Sequence, residues 1–330
     1  MDKKHSHDTA DVSGHPHTHG AADRTMLSTE RGIRAIKVGF VGLLATALMQ
    51  VVVVWFTGSV ALLSDTVHNF GDCLTALPLW AAFRLARMSP SRKYTYGYGR
   101  VEDLAGLAIV AVIFASGAFA IYESAHRIFN PQDITYVWAV AMASVIGFGG
   151  NEAVAVYRIR AGRDIGSAAL VADGYHARVD GWTSLAVLAG AGGVWLGYPL
   201  VDPIVGVVIG LAIMRIVWQT GRSVLRRLLD GVDPEVVDEI ESVAAGIPEV
   251  EKVTNVRVRW QGHRMLAEVS ITVPGRISVE KGHQISAHAE GHLLEKIGYL
   301  SLVSVHVDPE AASGDELHQH LHADGHQPAD

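Results

Sequence analysis

The sequence predicts an α-helical membrane protein with six transmembrane helices and a cytoplasmic α+β domain. Three observations predict it. Hydrophobic residues fill 49% of the 330 positions and charged residues only 18%, with a mean hydropathy of +0.23, which is high for a chain that folds in water. The apolar residues gather in runs long enough to span a bilayer, about 20 residues each. After Gly231 the runs stop, and the short periodicities of a small mixed domain replace them.

The helices follow from the runs and their breaks. Positions 38–64 hold no charge. That is longer than one span requires, and Thr57-Gly58-Ser59 divides the run as a turn. A first helix is predicted over 33–56 and a second over 60–84. A third covers 102–126, bounded by Asn130-Pro131, and a fourth covers 134–157. A fifth covers 166–193 and ends in Gly190-Ala191-Gly192-Gly193; a sixth starts near Pro203 and ends near Gly221. Positive charge orients the set. Arg84, Arg87, Arg92, Lys93 and Arg100 lie between helices two and three, and Arg158, Arg160 and Arg163 between four and five. Arg222, Arg226 and Arg227 follow helix six, whereas the other side has essentially Arg127 alone. Both termini are therefore expected in the cytoplasm, with the spans in lipid of the cell membrane.

The soluble part reads as residues 232–310, after a transmembrane domain over 31–222. Asp233-Pro234 opens an amphipathic helix to about Ala245, with proline at an early helical position. Positions 253–260 and 266–273 alternate apolar with polar residues around Gln261-Gly262-His263, the pattern of a hairpin. A helix over 278–297 and a strand over 302–307 follow. The order αββαβ is that of a ferredoxin-like α+β domain.

The two tails, 1–30 and 311–330, are polar and histidine-rich and are expected to be disordered. They carry His5, His7, His15, His17 and His19 at one end and His318, His320, His322 and His326 at the other, suited to weak, exchangeable metal capture. The first 30 residues show no apolar signal-peptide core, so the first span is expected to act as its own insertion signal. A net charge of -7 offers no basic patch, which argues against a nucleic-acid partner. The single cysteine, Cys73, rules out an internal disulfide and a cysteine-based zinc site.

Two nine-residue stretches carry the chemistry. Ser64-Asp65-Thr66-Val67-His68-Asn69-Phe70-Gly71-Asp72 and Ala172-Asp173-Gly174-Tyr175-His176-Ala177-Arg178-Val179-Asp180 both read Asp-x2-His-x3-Asp. On a helix, His68 and Asp72 share a face, as do His176 and Asp180. Facing one another, they offer two imidazoles and two carboxylates, a tetrahedral set suited to zinc. Counted from the membrane edges, the two pairs fall roughly 12 and 14 Å deep, so they meet near the bilayer centre. Ionisable groups at that depth are costly, and a structural pairing accounts poorly for the same spacing twice at matched depth. Asp65 and Asp173, three residues earlier, read as acceptors that orient the imidazoles or as acids on the ion's route in. Arg178 is expected to pair with an acid rather than approach a cation, and Glu152 with an arginine. In the soluble domain His263, His283, His306 and Asp308 form the candidate second, regulatory metal site; His306 and Asp308 alternate onto one face of a strand.

Taken together, Thr57-Gly58-Ser59-Val60, His68/Asp72, Tyr96-Gly97-Tyr98-Gly99-Arg100-Val101-Glu102, Ala172-Asp173…His176…Asp180 and His306-Val307-Asp308-Pro309 resemble the cation diffusion facilitators over residues 30–310. The resemblance implies a homodimeric exporter that moves zinc out of the cytoplasm against protons. It also implies that His68, Asp72, His176 and Asp180 are its transport site. Zn2+ would be both cargo and regulatory ligand, with no organic cofactor and no enzymatic step. Ser91, Tyr94 and Tyr98 stand where some members bind metal between helices two and three, so that site should be missing. Thr254 and Ser270 stand where others place histidine in the soluble domain, which leaves one site there rather than a two-metal cluster. Two other classes compete: a membrane metal sensor that does not transport, and an intramembrane metalloenzyme. The enzyme would need an open coordination position and a separate general base, and no His-Glu-x-x-His stretch is present.

Overall fold

The computed structural model describes residues 19–57, 60–129, 137–198 and 200–313. The histidine tails, apart from His19, the Gly58-Ser59 break and the Asn130-Pro131 boundary lie outside them. Six long helices come first: α1 (His19–Thr57), α2 (Val60–Ala86), α3 (Arg100–Phe129), α4 (Val137–Ile165), α5 (Ala168–Trp195) and α6 (Val201–Leu228). Among the described residues, the stretch Met26–Phe56 of α1 and all of α3, α4 and α6 are long and apolar enough to cross a membrane. The other two, α2 and α5, have 27 and 28 residues. They are the helices that bear the repeated acid–histidine motif.

Three ends run well past the apolar runs: the start of α1, the end of α4, and the end of α6, which reaches Leu228 rather than Gly221. Polarity, not helical propensity, sets where an apolar run stops, so a helix can continue past it. The first helix starts at His19 rather than near 33. Thr29, Ile33 and Ile36, spaced on one face, are buried and hold this polar overhang against the rest of the chain. The fourth continues to Ile165, through Arg158, Arg160 and Arg163. Arg158 does not mark an exit to water: it is 1% exposed.

The bundle is built around α5, which touches α2, α3, α4 and α6; its contact with α4 is the most extensive of all helix pairs. Gly174 makes that contact possible. A Cβ there would lie 2.9 Å from the backbone nitrogen of Ile159 and 2.7 Å from its side chain, so only glycine lets the two backbones come this close. Leu79, Phe83, Ile113, Leu170, Val179 and Ile213 fill the interior between the helices. The outside carries exposed Val41, Leu48, Val52, Phe114, Met142, Val145 and Leu211, the apolar face a bilayer requires. Trp55, Trp138, Trp195 and Tyr198 stand exposed near helix ends, where amphipathic rings meet headgroups.

The second unit comprises α7 (Pro234–Ala245), β1 (Lys252–Gln261), β2 (Arg264–Val273), α8 (Val279–Lys296) and β3 (Leu300–Pro309), closed by a 3-10 turn. The strands lie in the order β1-β2-β3. β1 and β2 pair antiparallel, and β2 and β3 pair parallel across the α8 crossover. Ile240, Met265, Val269, Ile271, Ile285, Leu293 and Val303 form its core between the helices and one face of the sheet. The αββαβ order is the one the periodicities predict.

The β1–β2 turn is driven into one end of the bundle. Gly262 sits there at φ +64. A Cβ at this position would approach Glu102 Oε2 to 2.6 Å and the Gly99 carbonyl oxygen to 2.8 Å. Gly262→Ala is expected to lower stability by about 1–3 kcal/mol, the cost of a left-handed non-glycine residue, with the clash adding to it. Thermal unfolding of the detergent-solubilised protein reads this directly. An unchanged melting temperature would mean that the turn is not packed against Glu102 and Gly99.

Candidate functional site

His176 and Asp180 lie one turn apart on α5, 2% and 4% exposed, with Nδ1 of the histidine 3.7 Å from Oδ2 of the aspartate. Two neighbouring hydroxyls bond the backbone of Asp180 rather than its carboxylate. Thr183 and Ser184 donate their hydroxyls to the Asp180 backbone carbonyl at 2.8 and 3.1 Å. An imidazole and a carboxylate at this separation, on one face of a buried helix, can supply two donors of a four-donor cation site.

The other half of the expected set, His68 and Asp72, falls on α2; those side chains, with that of Asp65, lie outside the described residues. The backbone still fixes their level. Phe83 of α2 stacks on His263 at 5.3 Å between ring centroids, and His263 bonds Glu102, which bonds Ser167 at the start of α5. Phe83 and Ser167 therefore stand near one level at the same end of the bundle. Counting from Phe83, Asp72 and His68 are about 17 and 23 Å along α2; counting from Ser167, His176 and Asp180 are about 14 and 20 Å along α5. The intervals overlap, and α2 touches α5.

A buried polar patch continues from this site. Gln50 of α1 is fully buried and donates to the Ala143 carbonyl of α4. Gly147 lies against both the Ser184 hydroxyl and the Gln50 amide. Asn151, also buried, bonds the Gly147 carbonyl. Thr46 and Ser144 complete a buried strip of hydroxyls and amides where α1, α4 and α5 meet. Gln50 is the one side-chain amide inside the uncharged run 38–64, which is the signal that could have drawn attention to it.

Three expectations about neighbouring groups meet different outcomes. Arg178 pairs with Glu152, at 2.6 and 3.1 Å, as both residues were expected to pair. Asp173 does not orient an imidazole. Its Oδ2 lies 3.0 Å from Arg158 Nη1, both side chains at most 1% exposed, and it makes no hydrogen bond to His176. The arginine that looked like a membrane-edge charge is its counterion, and both side chains are closed off from solvent.

The candidate second site does not assemble within this chain. Val305 and Val307 pack against the core, and Val307 meets Gly282 of α8, so alternation puts His306 and Asp308 on the opposite, open face of the sheet. There His306 Nε2 lies 2.9 Å from Asp308 Oδ1. His306 lines a groove of about 510 Å3 with Asn255, Arg257, Arg259 and Ser270. His283 is exposed on α8, in the layer behind the sheet. His263 is elsewhere again: Met265 pairs with Leu300 and Ser270 with His306, so roughly 20 Å of strand separates it from His306. Among the described residues no three such groups converge on a metal site.

His263 instead closes the joint between the two units. It is 3% exposed. Nδ1 lies 2.7 Å from Glu102 Oε2, Nε2 lies 2.9 Å from the Thr29 hydroxyl, and its backbone N–H donates to Glu102 at 3.3 Å. The Gly262 N–H donates to Asp103, and Gln261 donates to the Tyr96 carbonyl. Arg227 of α6 lies over the Trp260 ring at 4.1 Å and donates to the carbonyl oxygens of Gly166 and Gly262. Beside them burial pulls the Arg264 guanidinium below its ordinary value, with the Glu102 carboxylate opposing.

The bundle and its appended domain thus define a multi-pass membrane protein with the His176–Asp180 pair in its interior. The chain belongs to the cation efflux, or cation diffusion facilitator, family. Residues 36–229 match the cation efflux transmembrane domain, and residues 232–310 the cytoplasmic domain of cation efflux proteins. A probable cation efflux system protein of Mycobacterium tuberculosis is 51% identical over 297 residues, 89% of this chain and 90% of its own. Metal tolerance protein C1 of Arabidopsis thaliana is 24% identical, covering 90% of this chain and 66% of its own. The manganese efflux system protein MneP of Bacillus subtilis is 23% identical, covering 86% of this chain and 99% of its own. Among solved structures, MamM-CTD is 25% identical over 24% of this chain and all of its own length, at a TM-score of 0.23.

Proposed function

We propose that this family member exports zinc from the cytoplasm in exchange for protons, through a site made of His68, Asp72, His176 and Asp180. The observation that carries the reading is the buried His176–Asp180 pair on the central helix of the bundle. Its α2 counterpart lies at an overlapping level. Two imidazoles with two carboxylates make a softer, more zinc-like set than carboxylates alone, which favour manganese.

Binding requires neutral imidazoles, so an arriving cation displaces protons and an arriving proton weakens the site. That competition is what an exchanger needs. The four ligands face the cytoplasm, take up the metal, and release it on the other side after the helices rock. The buried strip around Gln50, Ser144 and Ser184 offers polar atoms along α1, α4 and α5. The chain acts as a homodimer with both termini in the cytoplasm, and the His306–Asp308 pair is the remaining candidate for a regulatory ligand on the soluble domain.

Flux in proteoliposomes tests this. With an imposed pH gradient, zinc uptake is expected, and competing zinc is expected to suppress manganese uptake more than the reverse. No zinc flux under the gradient would leave a metal-binding protein that does not transport. Preferred manganese flux would overturn the zinc assignment alone.

A further inference from the structure

Glu102 is 1% exposed and makes contacts on both sides of the joint. Its Oε1 accepts the Ser167 hydroxyl at 2.6 Å, and its Oε2 faces the His263 ring and backbone N–H. Ser167 in turn caps α5: its hydroxyl oxygen accepts the Leu170 N–H at 3.0 Å. A chain of bonds therefore runs from the hairpin turn of the soluble domain, through one carboxylate, to the first turn of the helix that carries His176 and Asp180. Asp103 holds the turn through Gly262, and Arg227 of α6 spans from Gly262 to Gly166, one residue before the cap. Among the described residues, the side chain that bonds the Ser167 cap itself is that of Glu102. His176 begins nine residues after Ser167, about 14 Å along a rigid helix.

We infer that Glu102 is a positioning residue for transport: it ties the β1–β2 turn to the N-cap of α5, so that movement of the soluble domain is passed to the metal-bearing helix. This rests on the transport reading of His176 and Asp180. Three features make the link stiff. Every partner is buried, the carboxylate is shared by two partners that do not touch each other, and Phe83 stacks on the far side of the His263 ring. A buried carboxylate that loses one of its donors is poorly compensated, so the two halves of the link should stand or fall together.

A double-mutant cycle in the full-length protein tests it. Ser167→Ala and His263→Ala are each expected to lower maximal zinc flux several-fold while the KM for zinc stays within about twofold, because no ligand is touched. The double variant should be no slower than the worse single one, since residues in one network are non-additive. In a Glu102→Gln background, His263→Ala should change nothing further, whereas Ser167→Ala still removes the cap on Leu170. Hydrogen exchange supplies a reading that needs no transport. His263→Ala should speed exchange at the Leu170 and Val171 amides about tenfold through local opening of the α5 N-terminus. If His263→Ala fails to fold, His263→Asn takes its place, and retention of both flux and slow exchange is expected. Multiplying losses in the cycle, or unchanged exchange at Leu170 and Val171 in His263→Ala, would overturn the link. Absent flux in the unmodified protein would instead sink the transport reading, leaving the exchange result to judge the joint.

Discussion

An Asp180→Ala variant is expected to insert and fold but to move almost no metal. The fold should survive because alanine is a strong helix former and the hydroxyls bonded at this position meet the backbone. Thr183 and Ser184 bond the Asp180 backbone carbonyl, which alanine keeps. The loss should fall on binding. Removing a group that merely hydrogen-bonds a metal ligand costs about 10–100-fold in affinity or activity, so removing a ligand should reduce flux at sub-saturating zinc by roughly 100-fold or more. Raising zinc should recover little, because a three-donor remnant no longer encloses the ion. Asp180→Asn keeps the shape but not the charge and should lose nearly as much. Full flux in either variant, measured in proteoliposomes under the same pH gradient, would place the transport site elsewhere. Normal binding with no flux would make Asp180 part of the movement rather than of the ligand set.

The six helices and the αββαβ order were readable because both rest on local periodicity. An apolar run states its own length, and strand alternation states its own face. Helix ends were less readable, since Thr29 and Ile33 extend α1 through contacts that no local pattern reports. The His176–Asp180 pair was legible because four-residue spacing fixes a helical face whatever the tertiary structure does. The groups that act across long distances were not. His263 looks like any other histidine of the soluble domain until Glu102, 161 positions away in sequence, is seen beside it. Alternation correctly joined His306 to Asp308, but it could not say that α8, and His283 with it, packs behind the opposite face. Asp173 misled for a related reason. Three residues before His176 it invites a ligand-orienting role, and only the course of α4 past its expected end reveals Arg158.

That ion pair gives the largest expected change in stability. Arg158 and Asp173 are essentially without solvent contact, 3.0 Å apart, with Gly39 of α1 pressed against the guanidinium. Two of the arginine nitrogens, Nε and Nη2, have no hydrogen-bond partner among the described residues. The pair is therefore held by charge more than by a satisfied network. Taking away one partner strands the other as a buried, uncompensated charge, which typically costs about 3–5 kcal/mol. Asp173→Ala should thus unfold at markedly lower temperature than the unmodified protein. It should also bind zinc more weakly, because an unneutralised arginine is left close to His176. The decisive comparison is with a variant that removes both charges, Arg158→Met with Asp173→Leu. Apolar groups of similar volume in place of a buried pair are often neutral or stabilising, so this double variant should recover most of the lost stability, and with it most of the zinc binding. Thermal unfolding in detergent and zinc titration of the same three proteins read both quantities. If stability returns and zinc binding does not, Asp173 serves the metal site directly, and its role goes beyond neutralising Arg158.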